Sequence, residues 1–266
     1  MPSPRVMGIV NVTPDSFSDG GRYLGHDAAL AHARRLIAEG ADILDIGGES
    51  TRPGAAPVPE AEELTRVIPL ITAVRAESAI PVSIDTLKPA VARAAVAAGA
   101  TIWNDVTALR GAPDAPAVAA ELGCEVVLMH MLGEPGTMQN APRYDDVVGE
   151  VEAFLLARAE VAMSAGVARD RIWLDPGIGF GKTLDHNLAL LRALPRLVAL
   201  GFPVLLGASR KRFIAALDPG AKDPGDRLGG SLAVALAGAR AGVAAVRVHD
   251  VAETVQALRV QAAING

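Results

Sequence analysis

One unit recurs along this chain: a short apolar run, a polar residue, a loop, an amphipathic alanine-rich segment and then a glycine. The apolar runs fall at residues 6–10, 43–46, 82–84, 102–103, 126–129, 172–174, 204–206 and 244–248, eight in all. Between and after them lie helix candidates near 27–39, 60–76, 88–98, 114–122, 145–165, 184–199, 226–241 and 251–262. Leu64, Val67, Ile68 and Ile71 show the spacing of one buried helical face, i, i+3, i+4 and i+7. Glycine follows the helical segment at Gly40, Gly99, Gly123, Gly166, Gly201 and Gly242, where a left-handed residue can cap the last carbonyls and turn the chain. Strands alternating with helices of this length indicate parallel βαβ units. Eight such units predict an α/β protein that closes as a (β/α)8 TIM barrel rather than an open doubly wound sheet. No linker or shift in composition divides the chain, so residues 1–266 read as a single domain.

Composition supports that architecture and removes several function classes. Half of the residues are hydrophobic but only 3% are aromatic, and small aliphatic side chains suit close packing of helices on a parallel sheet. A net charge of −5 argues against a nucleic-acid partner, which selects a basic surface. The single cysteine, Cys124, excludes an intrachain disulfide or multi-cysteine metal site and reads as a small buried hydrophobe. Met1 to Arg5 lacks an apolar signal region, and no charge-free run reaches the ~18 apolar residues of a membrane span. The expected compartment is the cytoplasm.

Three connections, 13–25, 47–59 and 130–144, are longer than a tight turn needs. All follow strands, so in a barrel they lie on the face where active sites are built. The apolar runs lead into polar residues: Asn11; Asp45 and then Glu49, Thr51 and Arg52; Asp85; Asn104 and Asp105; His130; Asp175; Ser209, Arg210 and Lys211; and Arg247, His249 and Asp250. Structural readings compete with functional ones here. Asp85 could cap the following helix, and Asp250, three residues before Glu253, fits a capping box. His130 reads as a core histidine between two methionines, and His26, His32 and His186 as solvated. No two histidines have metal-binding helical spacing, so no protein-held zinc site is expected. Gly181-Lys182-Thr183 resembles the end of a phosphate loop, but Pro176 stands where that loop needs its first glycine. Lys182 and Thr183 are therefore expected to begin a helix.

The cations carry more information. Arg52, Lys211 and Arg247 come from three strand ends, and with Asn11, Thr51, Ser209 and His249 they form a donor-rich set suited to phosphate or diphosphate. Barrels often bind phosphate after strands seven and eight, where Ser209, Lys211, Arg247 and His249 lie. Asp85, Asp175 and Asn104 supply acceptors, which suit a flat heterocycle with several N–H donors.

Seven ordered segments resemble the bacterial dihydropteroate synthases, pterin-binding barrels: Met7 to Gly21, Asp45 to Gly54, Ser83 to Thr86, Asn104 to Val106, Asp175 to Lys182, Ser209 to Lys211, and Arg247 to Val251. The resemblance implies an enzyme that condenses (7,8-dihydropterin-6-yl)methyl diphosphate with 4-aminobenzoate in folate biosynthesis, with Mg²⁺ present. It implies that Asp85, Asn104, Asp175 and Lys211 hold the pterin, while Asn11, Thr51, Arg52, Arg247 and His249 serve the diphosphate, Asn11 beside the metal. Lys211, Arg247 and His249 become the catalytic set, and Ser209, Thr51 and Phe180 position 4-aminobenzoate. The family pattern also implies a homodimer. Leu132 and Gly136 depart from that pattern, where many relatives carry a polar and a basic residue. A pterin-dependent methyltransferase and a non-synthase paralogue stand as alternative readings.

Overall fold

The computed structural model describes residues 3–12, 21–50, 56–134 and 136–265. Eight parallel strands form one sheet: β1 (Arg5–Asn11), β2 (Ile43–Gly47), β3 (Val82–Asp85), β4 (Ile102–Asp105), β5 (Glu125–Met129), β6 (Ile172–Asp175), β7 (Leu205–Leu206) and β8 (Ala245–Val248). Their order is β6-β5-β4-β3-β2-β1-β8-β7. The ring closes between β6 and β7, where the Leu174 N–H donates to the Pro203 carbonyl over 2.9 Å and Leu174 bridges Val204 in parallel. The eight strand positions read from the sequence are therefore the strands of a (β/α)8 barrel.

The helices are α1 (Gly21–Ala38), α2 (Glu60–Glu77), α3 (Pro89–Ala97), α4 (Ala115–Leu122), α5 (Val147–Ala165), α6 (Leu184–Arg192), α7 (Leu194–Val198), α8 (Arg212–Leu217), α9 (Leu228–Ala241) and α10 (Val251–Asn265). Three differences from the expected pattern have local causes or none. The segment expected over 184–199 breaks at Ala193, because Pro195 opens α7 and has no N–H to continue the ladder of α6. The short α8 occupies the loop after β7, too brief for periodicity to reveal. Helix α1 begins at Gly21, six residues before the expected start, and nothing in the sequence pattern marks that start. All six glycines expected to end helical segments have positive φ, from +59° at Gly123 to +111° at Gly166.

Strand parity decides what lies inside the barrel. Successive side chains of a strand face opposite sides. The outward set, including Val6, Val10, Leu44, Ile46, Ile84, Trp103, Leu128, Leu174 and Val246, packs with the helices in one continuous core. The inward set starts with an apolar layer of Met7, Ile43, Ile102, Val127, Trp173, Leu205 and Ala245, to which β3 adds the buried hydroxyl of Ser83. Trp173 is 2% exposed and donates its indole N–H to Glu125 Oε2 over 2.5 Å, while the Arg5 guanidinium lies 4.5 Å from its ring centroid. Truncating such a buried tryptophan to alanine costs ~3–5 kcal/mol. This plug closes the N-terminal end of the barrel. Two residues further along the same strands, inward parity delivers Asp45, Asp85, Asn104, Met129, Asp175 and Arg247 to the opposite end.

Cys124 is buried at 7% exposure, as expected, and burial pushes its thiol up to about 11.

Candidate active site

Arg247, the inward residue of β8, spans the mouth. Its Nε–H donates to Asp45 Oδ2 at 2.6 Å and its Nη2–H to Asp85 Oδ2 at 2.8 Å. Asn104 Nδ2 lies 3.4 and 3.5 Å from the two carboxylate oxygens of Asp45. Asp85 therefore faces Arg247 rather than capping α3, whose N-cap residue, Lys88, makes no side-chain cap hydrogen bond. Asp175, on β6, accepts the Gly177 N–H at 2.7 Å. Lys211 Nζ donates to the Ile178 carbonyl and stands 4.3 Å from the centroid of the Phe180 ring. Ser209 Oγ and His249 Nδ1 are 3.0 Å apart, and the His249 N–H donates to the same oxygen at 3.2 Å. Asn11 and His249 line one open cavity of about 590 Å³ with Ile9, His32 and Arg35.

The charges explain the shifted acidities. Three buried carboxylates, Asp45, Asp85 and Asp175, face two cations, Arg247 and Lys211. Burial pushes the Asp85 carboxyl up to about 7; the pull of Arg247 opposes this, and the charges of Asp45, Glu63 and Asp105 add to it. Burial also raises Asp175, against Lys211, the Gly177 N–H, Lys182 and Arg247. Burial lowers Lys211 to about 8, with Asp175 and Asp85 resisting and Arg247 assisting. Arg247 is held above its ordinary value because Asp45 and Asp85 outweigh its burial. The mouth thus gathers buried acceptor groups at one place, which favours a ligand rich in N–H donors.

The structure gathers Asp85, Asn104, Asp175, Lys211, Arg247, Ser209, His249, Asn11 and Phe180 at the C-terminal ends of the strands. Thr51 and Arg52 lie outside the described residues. Several neighbouring expectations change. Asp250 spends its carboxylate on a two-point pairing with Arg210, one contact at 3.0 Å, rather than on a capping box. That pairing steadies Arg210, whose φ of +58° turns the chain between Ser209 and Lys211. His32 is half-buried against the Ile9 carbonyl at 3.2 Å, and His186 completes the capping box of α6 with Thr183, so neither is simply solvated. Asp105 faces outward and fixes its own turn, accepting from the N–H groups of Thr107 and Leu109.

Lys182 does not begin a helix: it is 4% exposed and points inward, while Thr183 is the N-cap. Lys182 Nζ lies 2.9 Å from His130 Nδ1 and donates to the carbonyls of Gly177, Phe180 and His130 at 3.0, 3.0 and 3.3 Å. Burial lowers this amine to about 7 and His130 to about 3. His130 is a core histidine, as its place between two methionines leads one to expect. With Gln139 donating to the Gly179 carbonyl and Tyr144 to that of Gly181, these bonds shape the loop after β6. A second unanticipated cluster ties Lys88 to Glu49 and buried Glu63, 2.5 Å away, at the root of the loop after β2. No local sequence signal announces either cluster, because the side chains that meet, Lys182 with His130 and Lys88 with Glu63, stand 52 and 25 positions apart. Leu132 and Gly136 are exposed; Leu132 packs its backbone where a Cβ on Gly181 would come within 2.7 Å.

A family model described as "Pterin binding enzyme" matches residues 7–249. The dihydropteroate synthase of Escherichia coli K12 is 49% identical over 258 residues, covering 97% of this chain and 90% of that one. The Xanthomonas albilineans dihydropteroate synthase solved with 4-aminobenzoic acid superposes with a TM-score of 0.93 at 56% identity, covering 99% of this chain and 94% of that one. The same enzyme solved with 7,8-dihydropteroate gives 0.90 at 53%, with the same coverage.

Proposed function

Because the chain belongs to the dihydropteroate synthases of the pterin-binding family, we propose that it joins (7,8-dihydropterin-6-yl)methyl diphosphate to 4-aminobenzoate, releasing diphosphate and forming 7,8-dihydropteroate. The observation that carries this reading is the placement of Arg247. One cation touches the acceptor carboxylates Asp45 and Asp85, yet Asp45 and Asp85 use only two of its five guanidinium N–H groups.

The pterin lies among Asp85, Asn104, Asp175 and Lys211. Ionised Asp85 and Asp175 accept its ring N–H groups, and those hydrogen bonds bring both raised carboxyls back toward the charged form. The diphosphate lies toward Arg247, His249 and Asn11, with Thr51 and Arg52 of the loop after β2. Its bond to the methylene carbon breaks with the electron pair leaving on oxygen, and the dihydropterin ring delocalises the cation left behind. Arg247 and His249 stabilise the charge that grows on the leaving group, the kind of electrostatic contribution that is commonly largest. The arylamine, placed by Ser209, Phe180 and Thr51, then forms the C–N bond and loses its proton to water. Positioning supplies much of the remaining rate. No nucleophile–base pair is required.

Mg²⁺ fits this site as a partner of the diphosphate. Among the described residues no group of three or more His, Cys, Asp or Glu side chains could hold a metal. Mg²⁺ commonly takes substrate phosphates, waters and few protein oxygens, and the Asn11 amide oxygen can supply one. Bound there, it neutralises diphosphate charge.

We further infer a homodimer, following the family pattern, with Leu217, Val260 and Ile264 as exposed apolar residues available to a contact. A cytoplasmic enzyme acting on small molecules is the matching setting; among the described residues, no helix is long and apolar enough to cross a membrane. Diphosphate release by the purified protein, with and without 4-aminobenzoate, tests the synthase reading.

A further inference from the structure

Asp45 has no assigned part in the reaction, yet it is fully buried at the centre of the mouth and bonded to residues of both halves. We propose that Asp45 is a positioning residue of the synthase reaction: it fixes the plane of the Arg247 guanidinium and the orientation of the Asn104 amide. The inference rests on the synthase reading above.

Two features of the geometry support it. The first concerns Arg247. Nε is the one guanidinium nitrogen that is not at the end of the side chain, so a 2.6 Å bond from Nε–H to Asp45 stops rotation of the whole fork. The second contact, Nη2 to Asp85, lies on the same edge. With that edge held by two carboxylates from β2 and β3, the opposite end of the fork is directed away from both and can meet an anion in a forked contact. Of the two, Asp45 keeps this task when the pterin binds, because Asp85 holds only a terminal nitrogen and also serves the pterin.

The second feature concerns Asn104. An ionised carboxylate only accepts hydrogen bonds, so the Asn104 amino group turns toward Asp45. Its carbonyl oxygen is thereby presented on the other side, as an acceptor for a ligand N–H. Asp45 thus makes Asn104 a reader of donors, matching Asp85 and Asp175.

The isosteric change Asp45→Asn tests this in the complete reaction, with pterin diphosphate, Mg²⁺ and 4-aminobenzoate. The proposal expects kcat to fall on the order of 10²-fold, as for loss of one oriented donor to a leaving anion. KM for 4-aminobenzoate, which touches neither partner of Asp45, changes less than about threefold. A second readout separates this from simple loss of stability. Besides Arg247 from β8, the charges of Asp45 from β2, Glu63 from α2 and Asp105 from β4 act on Asp85, and Asp85 in turn acts on Lys211. Removing the Asp45 charge lowers the Asp85 carboxyl, so the acid limb of kcat/KM moves to lower pH.

A folded Asp45→Asn protein with wild-type kcat and an unmoved acid limb overturns the inference. Should that variant not fold, Asp45→Asn/Arg247→Met removes both charges together. If Asp45 acts through Arg247 on kcat, the double variant has the kcat of Arg247→Met alone, and a further loss beyond about threefold contradicts the proposal. The wild-type protein in the same assay distinguishes the two failures. If it releases no diphosphate the synthase reading is wrong; if it does and Asp45→Asn matches it, only this inference is wrong.

Discussion

Arg247 Nη2 lies 2.8 Å from Asp85 Oδ2, so a cation from β8 and a carboxylate from β3 meet across the open end of the barrel. This contact joins the two halves of the site. It holds the guanidinium before any ligand arrives, so less ordering is left for the moment when charge builds on the leaving group.

Arg247→Ala accordingly lowers kcat by ~10²–10³-fold while changing pterin affinity by a much smaller factor. Steady-state kinetics beside direct titration of the pterin substrate makes the comparison. Equal losses in both would assign Arg247 to ground-state binding alone. The substitution also leaves Asp45 buried without its cation, which costs ~3–5 kcal/mol, so the variant's fold is checked first by circular dichroism.

Lys182→Met removes the donor shared by the carbonyls of Gly177, Phe180 and His130. Leaving buried acceptors unpaired costs ~1–3 kcal/mol each, partly offset because a buried amine is itself costly. The net expectation is a loss of about 2 kcal/mol, read from the urea midpoint at pH 7. An unchanged midpoint contradicts the structural role assigned to this lysine.

His130 gives a pH dependence with a defined sign. Burial holds its folded-state value near 3, below the unfolded 6.5, so the folded protein disfavours the charged ring. The stability this contributes is complete above 6.5 and is lost as pH falls from there toward 3. Raised carboxyls such as Asp175 act in the opposite direction, so the test is a difference. Between pH 6.5 and 4, wild-type stability falls more steeply, or rises less, than that of His130→Gln. Parallel curves count against it.

Gly177 and Gly229 make a paired prediction. A Cβ on Gly177 would come 1.9 Å from the His130 carbonyl oxygen at a φ of +65°, so Gly177→Ala forces the β5 and β6 loops apart and yields insoluble or strongly destabilised protein. A Cβ on Gly229, exposed in α9, meets nothing within 4 Å. Gly229→Ala therefore raises stability by ~0.5–1 kcal/mol through helix propensity. Thermal unfolding of both variants decides whether the backbone approach at Gly177 is as tight as described.

Most of this fold could be read along the chain because a barrel repeats a local pattern: apolar runs, helical spacing around Val67 and Ile71, and glycines such as Gly166 all report on neighbours in sequence. The placement of the candidate site residues is legible for a related reason. Asp85, Asn104 and Asp175 each interrupt an apolar run at its C-terminal end, where a core position ought to continue. Position could not reveal pairing. That Asp45 grips Arg247, 202 positions away, or that Lys182 turns inward to His130, depends on ring closure and loop packing that no window of the sequence contains. Asp250 misled for the converse reason: its local capping pattern is sound, but Arg210 brings a charged competitor from the neighbouring strand end.

In the proposed reaction this mouth divides a leaving diphosphate from an acceptor-lined pterin pocket and joins the pterin to an arylamine. The most direct test measures diphosphate released by the purified protein from (7,8-dihydropterin-6-yl)methyl diphosphate and Mg²⁺, with and without 4-aminobenzoate. The expected outcome is release that depends on 4-aminobenzoate and equals the dihydropteroate formed. Release that 4-aminobenzoate does not increase, or none at all, would contradict it.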